Sequence, residues 1–238
     1  CAPMAAVLLA IIPVGTVTLR LNTASGQRVP VVLSHVCACH AINSHPSSMM
    51  ARRGGRPRLS VMDASVSATR AELLARCSAA PPNGVGASLE EDNAVHAIVT
   101  ELEVFCRPEP TRMPLSGVWQ LVYTSSTGGS SGKVGPFVGR VTQTMVDDSI
   151  FINAVEFFGG AVRLALEAER KVLDSKRIRV TFRETAVSVF GRRVFRKAIK
   201  GSGVWVQRYV DEGLRVMDTP SLFVLRKVGD VNDSSMSV

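Results

Sequence analysis

From Leu115 to Arg226 the chain is a succession of short apolar or alternating runs, and no long amphipathic helix is obvious among them. It opens with Leu115-Ser116-Gly117-Val118-Trp119-Gln120-Leu121-Val122-Tyr123-Thr124 and nears its end with Trp205-Val206-Gln207-Arg208-Tyr209-Val210. Runs of this length and spacing predict a small antiparallel β-barrel. Barrels of this size hold a greasy ligand or are filled by their own side chains. The pattern therefore points to binding before it points to chemistry.

The expected strands are Val118 to Ser125, Val138 to Val146, Ile150 to Phe157, Val162 to Arg170, Arg177 to Glu184, Val204 to Val210, Leu214 to Met217 and Ser221 to Lys227. Trp119, Leu121 and Tyr123 alternate on one face of the first. Val162, Leu164 and Leu166 alternate against Arg163, Ala165 and Glu167, and Ile178, Val180 and Phe182 against Arg177, Arg179, Thr181 and Arg183. This is the pattern of a sheet with one wet face. Thr127 to Pro136 is rich in Gly and Ser and reads as a loop, and Asp211-Glu212-Gly213 as a hairpin turn. Gly117-x-Trp119 on the first strand suggests a lipocalin-like barrel. Gly117 lets the backbone turn in closely, Trp119 plugs the closed end, and Arg226 on the last strand lies over the indole as a cation–π pair.

The chain ahead of the barrel divides at about residue 62. Residues 1–62 contain six Arg and no acidic residue. Met4 to Val17 is apolar, but too short and broken for a spanning helix, and resembles the hydrophobic region of a signal peptide. The Arg-bearing, acid-free stretch after it has transit-peptide composition. Two readings stand: a bipartite leader, or a simple transit peptide starting near Met49 or Met50. Most of the net charge of +8 sits in this segment, so it says little about nucleic acid. Residues 1–62 thus read as a targeting leader, 63–110 as a helical lead-in, 111–228 as the barrel and 229–238 as a disordered tail.

Within the lead-in, Ser67 to Ser78 reads as a short helix broken by Pro81, Pro82, Asn83 and Gly84. Ser88 and Glu91 fit a capping box ahead of Val95, Ile98, Val99, Leu102 and Cys106 at helical spacing. Pro108, Pro110 and Pro114 form the linker into the barrel. Cys77 and Cys106 are too few for a disulfide framework. Cys37-x-Cys39-His40 is too tight for the usual zinc spacing, so no metal or other cofactor is expected.

Four blocks in order resemble the plastid lipid-associated proteins, or plastid fibrillins, over roughly Ala68 to Val228. They are Leu115 to Thr124; Gly139-Arg140-Val141-Thr142-Gln143; Asn153-Ala154-Val155; and Tyr209-Val210-Asp211 through Leu214-Arg215-Val216 to Leu222-Phe223-Val224-Leu225. The resemblance implies a mainly β, lipocalin-like fold. It implies binding of isoprenoids, quinones, carotenoids or acyl lipids, and association with plastoglobules or thylakoids. The chain departs from the family at Asp218-Thr219-Pro220, where a second Arg followed by Gly is common.

The candidate ligand-binding residues are Tyr123, Gln143, Asn153, Phe182, Tyr209 and Arg215, with Gly117, Trp119, Asp211 and Arg226 as structural residues. Two readings stand for Arg215 and Tyr209. Arg215 pairs with Asp211 or caps strand ends and Tyr209 is core, a structural latch, or both present polar groups at the barrel mouth. Buried Gln143 and Asn153 must bond either backbone or ligand. Phe190 to Lys200 holds Arg192, Arg193, Arg196, Lys197 and Lys200 with Phe195 and no acid. Its apolar residues recur every fourth position, which predicts a basic amphipathic helix on an anionic membrane. A solvated basic hairpin and an RNA contact are the other two readings.

The leading function is a non-enzymatic binder that coats plastid lipid. The expected partners are a hydrophobic small molecule or lipid and a plastid membrane or lipid-body surface, with no nucleic acid. The rivals are an enzyme acting on a lipid or carotenoid, and an adaptor for an isoprenoid- or quinone-pathway enzyme. No catalytic residue is nominated, because the barrel carries no His, and no Cys after Cys106.

Overall fold

The computed structural model describes residues 61–231. The leader over residues 1–60, with Cys37, Cys39 and His40, and the tail from residue 232 lie outside the described residues.

Two helices come first. α1 spans Val61–Ala79 and α2 spans Leu89–Glu103. α1 begins at Val61 and not at Ser67, so it takes in Val61 and Met62 from the leader side of the expected boundary. Asp63 in its first turn complements the helix dipole, and no Gly or Pro interrupts the chain before Pro81. The capping box of α2 forms as read: Glu91 N–H donates to Ser88 Oγ at 3.2 Å, and Ser88 N–H donates to Glu91 Oε2 at 2.7 Å. Ser88→Ala leaves the Glu91 amide without its acceptor and is expected to lower stability by about 1 kcal/mol. Urea midpoints of the two proteins check this, and an unchanged midpoint would mean that the cap carries no weight.

The strands are β1 Gly117–Thr124, β2 Lys133–Val134, β3 Phe137–Val138, β4 Arg140–Met145, β5 Ile150–Phe157, β6 Val162–Val172, β7 Arg177–Val189, β8 Arg192–Ala198, β9 Ser202–Val210, β10 Leu214–Asp218 and β11 Leu222–Gly229. β2 and β3 make a small hairpin of their own in the loop after β1. The others run in the order β6-β5-β4-β1-β11-β10-β9-β7-β8, and β6 also pairs with β7. That pairing closes an eight-stranded antiparallel barrel and leaves β8 outside it. β7 changes partner along its length. Arg177–Thr181 pairs with β9, while Glu184–Val189 pairs with β8.

The basic stretch is therefore a strand and a turn, not a helix. Phe190 and Gly191 both have positive φ, 48° and 75°, and reverse the chain so that β8 lies against β7. The fourfold apolar spacing of Phe190, Val194 and Ala198 lost to hairpin closure by this two-residue turn. A bulge at Val194 also spoils strict alternation in β8, which hid the strand.

Inside the barrel, Trp119, Leu121, Val141, Met145, Phe151 and Trp205 belong to one buried cluster with Ile178, Val180, Met217, Phe223 and Leu225. Outside it, Leu73 and Cys77 of α1 and Val95, Val99 and Leu102 of α2 cover Tyr123, Tyr209, Leu214, Val216, Leu222 and Val224. The helices thus lie on the outer face of β1 and β9 to β11.

The proline linker crosses the end of the barrel where β1 begins. Thr111 Oγ donates to the carbonyls of Asp174 and Ser175, at 2.8 and 3.0 Å, and Leu115 is buried beneath Trp119 in the same cluster. Trp119 Nε1 donates to the Leu115 carbonyl at 2.8 Å, so the indole plugs this end with its polar atom satisfied. Gly117 is required here. Its φ is 117°, and a Cβ would stand 2.4 Å from Lys227 Cε and 2.7 Å from the Gly229 carbonyl.

Arg226 does not cover the indole. The register sets it opposite Gln120 and Leu214, on the outer face, where it is exposed; Lys227 is the residue opposite Trp119. Cross-strand partners share a face, so a one-residue difference decides which cation turns inward.

Candidate functional site

Two β-bulges redistribute the expected ligand residues. In β1 the pairing with β11 slips between Leu121 and Tyr123, so Tyr123 stands opposite Val224 and turns outward under the helices. Its hydroxyl donates to Asp92 Oδ1 on α2 at 2.7 Å. In β9 the pairing slips between Gln207 and Tyr209, which sends Tyr209 outward as well. The residue at that bulge, Arg208, donates from Nε to Glu103 Oε2 at 3.0 Å and ties β9 to α2. Tyr123 and Tyr209 are therefore not in the barrel lumen. The sequence alternation is correct up to each bulge and inverted after it. Burial and the nearby carboxylate raise the pKa of both phenols, so both stay protonated donors.

Asp211, read as structural, sits in the β9–β10 turn. Its Oδ1 accepts from the backbone N–H groups of Gly213 and Leu214, at 2.7 and 2.8 Å. Its Oδ2 accepts from the Tyr209 hydroxyl at 2.8 Å and pairs with Arg70 of α1 at 2.9 Å. The partner of Asp211 is thus Arg70 and not Arg215.

Arg215 points the other way, into the barrel. It is 1 % exposed and stands opposite Val210 and Leu225, both in the interior cluster. Its Nε donates to Gln207 Oε1 at 2.9 Å and its Nη1 to Gln143 Oε1 at 3.1 Å. Two neutral amides hold a guanidinium and, among the described residues, no carboxylate pairs with it. Burial pushes its pKa down to about 9, and the nearby charge of Arg170 adds to the depression.

Gln143 faces Trp119 on one side and Asn153 on the other, so Asn153 is also inward-facing. Its Oδ1 is buried without a partner. Phe182 packs against the interior cluster. Four of the six nominated ligand residues, Gln143, Asn153, Phe182 and Arg215, therefore line the interior.

Gln207 and Arg170, neither of them nominated, are also interior polar residues. Gln207 is in phase with Trp205 on β9. Arg170 is in phase with Val162, Leu164 and Leu166 on β6, and stands opposite the interior residue Val180. Simple alternation, carried to the end of each strand, would have found both. Arg170 has a side chain only 8 % exposed, and its Nε donates to the Asp148 carbonyl at 2.6 Å. Its Nη1 is buried without a partner. A cavity of about 260 Å³ opens beside it, at the Trp119 end, between Leu115, Met145, Val146 and the Asp147-Asp148 turn.

The opposite end of the barrel carries a different surface. Phe158 lies in the β5–β6 turn, Phe190 in the β7–β8 turn and Phe137 on β3. They are 66 %, 82 % and 51 % exposed. The Phe137 and Phe158 rings meet edge to face at 5.3 Å, and Phe190 N–H donates to the Ala161 carbonyl at 2.7 Å, so the three sit on neighbouring turns. Phe158 and Phe190 have φ of 53° and 48°, a region bulky residues avoid and turns normally fill with Gly or Asn. Beside them, every residue of β8 is exposed. Phe195 stands opposite the interior residue Val187, while Arg192 and Lys197 face the same side and Arg193 and Arg196 the other. Arg196 is paired with Glu184. Lys200 is exposed just beyond the strand.

A closed eight-stranded antiparallel barrel, plugged by Gly-x-Trp at one end and flanked by two helices, defines a lipocalin-like protein. The chain belongs to the PAP_fibrillin family, whose model matches residues 68–200. A relative in Arabidopsis thaliana, named probable plastid-lipid-associated protein 8, chloroplastic, is 30 % identical over 195 residues, covering 71 % of this chain and 80 % of the relative. No solved structure matches the chain significantly.

Proposed function

We propose that this protein is a non-enzymatic, plastid-resident binder of hydrophobic molecules that docks on lipid surfaces through the open rim of its barrel. The observation that carries the reading is the cluster of exposed phenylalanines at the turn tips, Phe137, Phe158 and Phe190, next to the basic strand β8. Two of these rings occupy positive-φ turn positions that Gly or Asn normally fills, and such strain gathers at functional sites. Exposed aromatics beside Arg and Lys suit a lipid–water interface, where rings enter the acyl boundary and cations meet anionic headgroups. Family membership and the chloroplastic name of the relative support a plastid setting; the surface in this reading is plastoglobule or thylakoid lipid.

The interior supports binding over catalysis. Among the described residues, the inward rows of the barrel carry no Asp, Glu, His or Cys. His96, the one His of the described residues, lies on α2, 3.7 Å from Asp92.

Flotation with vesicles tests the docking. Binding is expected to rise with anionic lipid and to fall with salt. Arg192→Gln with Arg193→Gln should weaken it by about 2 kcal/mol, at about 1 kcal/mol per cation near such a surface. Phe158→Ser and Phe190→Ser should weaken it without changing the salt dependence. Equal binding by wild type and all these variants would leave β8 as a solvated hairpin and end the docking reading.

A further inference from the structure

We propose that the barrel interior holds the anionic head, carboxylate or phosphate, of a single-chain lipid, with Arg215 and Arg170 as its charge partners. The inference rests on the hydrophobic-binder reading above and names the class of ligand.

The interior holds more positive charge than the protein answers, since Arg215 meets no carboxylate among the described residues and Arg170 has only its ion pair with Asp148 at the turn. Arg215 is fully buried, and only two amide oxygens meet it. Those two bonds use two of the five N–H groups a guanidinium carries. Arg170 faces the same interior from β6, and its Nη1 is buried without a partner. The two cations feel each other, since the charge of Arg170 lowers the proton affinity of Arg215. Among the described residues, the carboxylates nearest Arg170 belong to the β4–β5 turn. Asp148 is fully exposed and 3.9 Å away, and Asp147 is engaged by the backbone amides of Ser149 and Ile150.

A buried charge without a counter-charge is costly, and two like charges in one barrel are costlier. A carboxylate or phosphate between them would neutralise both and accept the spare N–H groups in charge-assisted bonds. The remainder of the interior suits an apolar chain. Val155, Leu164, Leu166 and Phe182 face inward yet are only half-buried, on the side where β7 parts from β9. That gap runs toward the phenylalanine rim, so a chain anchored at Arg215 would leave the barrel at the lipid-facing end.

The test titrates the full chain with oleic acid, oleoyl lysophosphatidic acid, methyl oleate and inorganic phosphate. The readout is the fluorescence of Trp119 and Trp205, both inside the barrel. Wild type is expected to bind the two anionic lipids about tenfold or more tighter than methyl oleate, the size of one good charge-assisted contact. Whichever of oleate and lysophosphatidate binds tighter identifies the head as carboxylate or phosphate. Arg215→Met should keep the affinity for methyl oleate and lose the preference for the anions. Arg170→Met, at the cavity edge, should reduce the preference and stands in if Arg215→Met does not fold. In parallel, oleate should raise the melting temperature of wild type and not that of Arg215→Met. Equal binding of anionic and neutral lipids by wild type, or a preference that survives in the arginine variants, would overturn the inference and leave the hydrophobic-binder reading standing. Saturation of the signal by inorganic phosphate alone would overturn the lipid assignment. Failure of every lipid to bind would remove the binder reading as well.

Discussion

Trp119→Ala is expected to destabilise the protein by about 3–5 kcal/mol, the range for deleting a buried aromatic from a core that cannot collapse into the space. The indole is enclosed with Leu115, Leu121 and Met145 in the interior cluster, and its Nε1 satisfies the Leu115 carbonyl at 2.8 Å. The variant therefore opens a cavity at the plugged end and also leaves that carbonyl unpaired. Trp119→Phe reduces the first loss, because it keeps a six-membered ring in the site while removing the donor and the smaller part of the indole; about 1–2 kcal/mol is expected for it. Arg226→Ala should change stability by less than about 0.5 kcal/mol, since the side chain is exposed on the outer face. Guanidinium denaturation of the three variants decides the matter. A neutral Trp119→Ala would show that the linker, and not the indole, closes the barrel.

The contrast between Trp119 and Arg226 marks where the sequence is legible and where it is not. Alternation along a single strand is local, so Trp119, Leu121 and Gln143 can be placed inside from their own neighbourhoods. The face of Arg226 depends on its register with β1, a long-range quantity that its own strand does not encode. The bulges act in the same way. Nothing in Leu121-Val122-Tyr123 announces that one residue is looped out, yet that one residue moves Tyr123 from the lumen to the helix-covered face. Outer-face burial by α1 and α2 also removes the polar side of the pattern, because Leu214, Val216, Leu222 and Val224 are apolar for the helices' sake. The two interior arginines show the opposite failure. Arg170 keeps phase with Leu164 and Leu166, and Arg215 with Met217, but an Arg in phase with apolar residues looks like an error in the phase. Only the closed barrel shows both on the inside, with amides and no carboxylate beside Arg215. The rim is a third case. Phe158 and Phe190 precede Gly, which reads as a turn, but the meeting of those two turns with β3 is set by the barrel's closure.

Asp211→Ala is expected to cost about 3 kcal/mol, because one carboxylate serves four donors on two layers of the fold. Oδ1 takes the Gly213 and Leu214 amides and so fixes the β9–β10 turn. Oδ2 takes the Tyr209 hydroxyl and pairs with Arg70, which fastens α1 over the outer face of that hairpin. Hydrogen bonds to an ionised acceptor contribute about 1.5–3 kcal/mol each, and those at the turn are short and partly buried. Asp211→Asn keeps an acceptor for the two amides, can turn its NH2 to donate to the Tyr209 hydroxyl oxygen, and loses mainly the partly buried ion pair with Arg70. A single ion pair that solvent still reaches contributes about 1 kcal/mol, so this variant should be much the milder. Arg70→Ala should match Asp211→Asn, and combining it with Asp211→Ala should cost little more than Asp211→Ala alone, since the pair is then already broken. Thermal melts of the four variants, followed by hydrogen exchange at α1, test the assignment. The docking role predicts that α1 amides lose protection in Arg70→Ala while the strands keep theirs. Unchanged α1 protection in that variant would show that Asp211 acts through the turn alone.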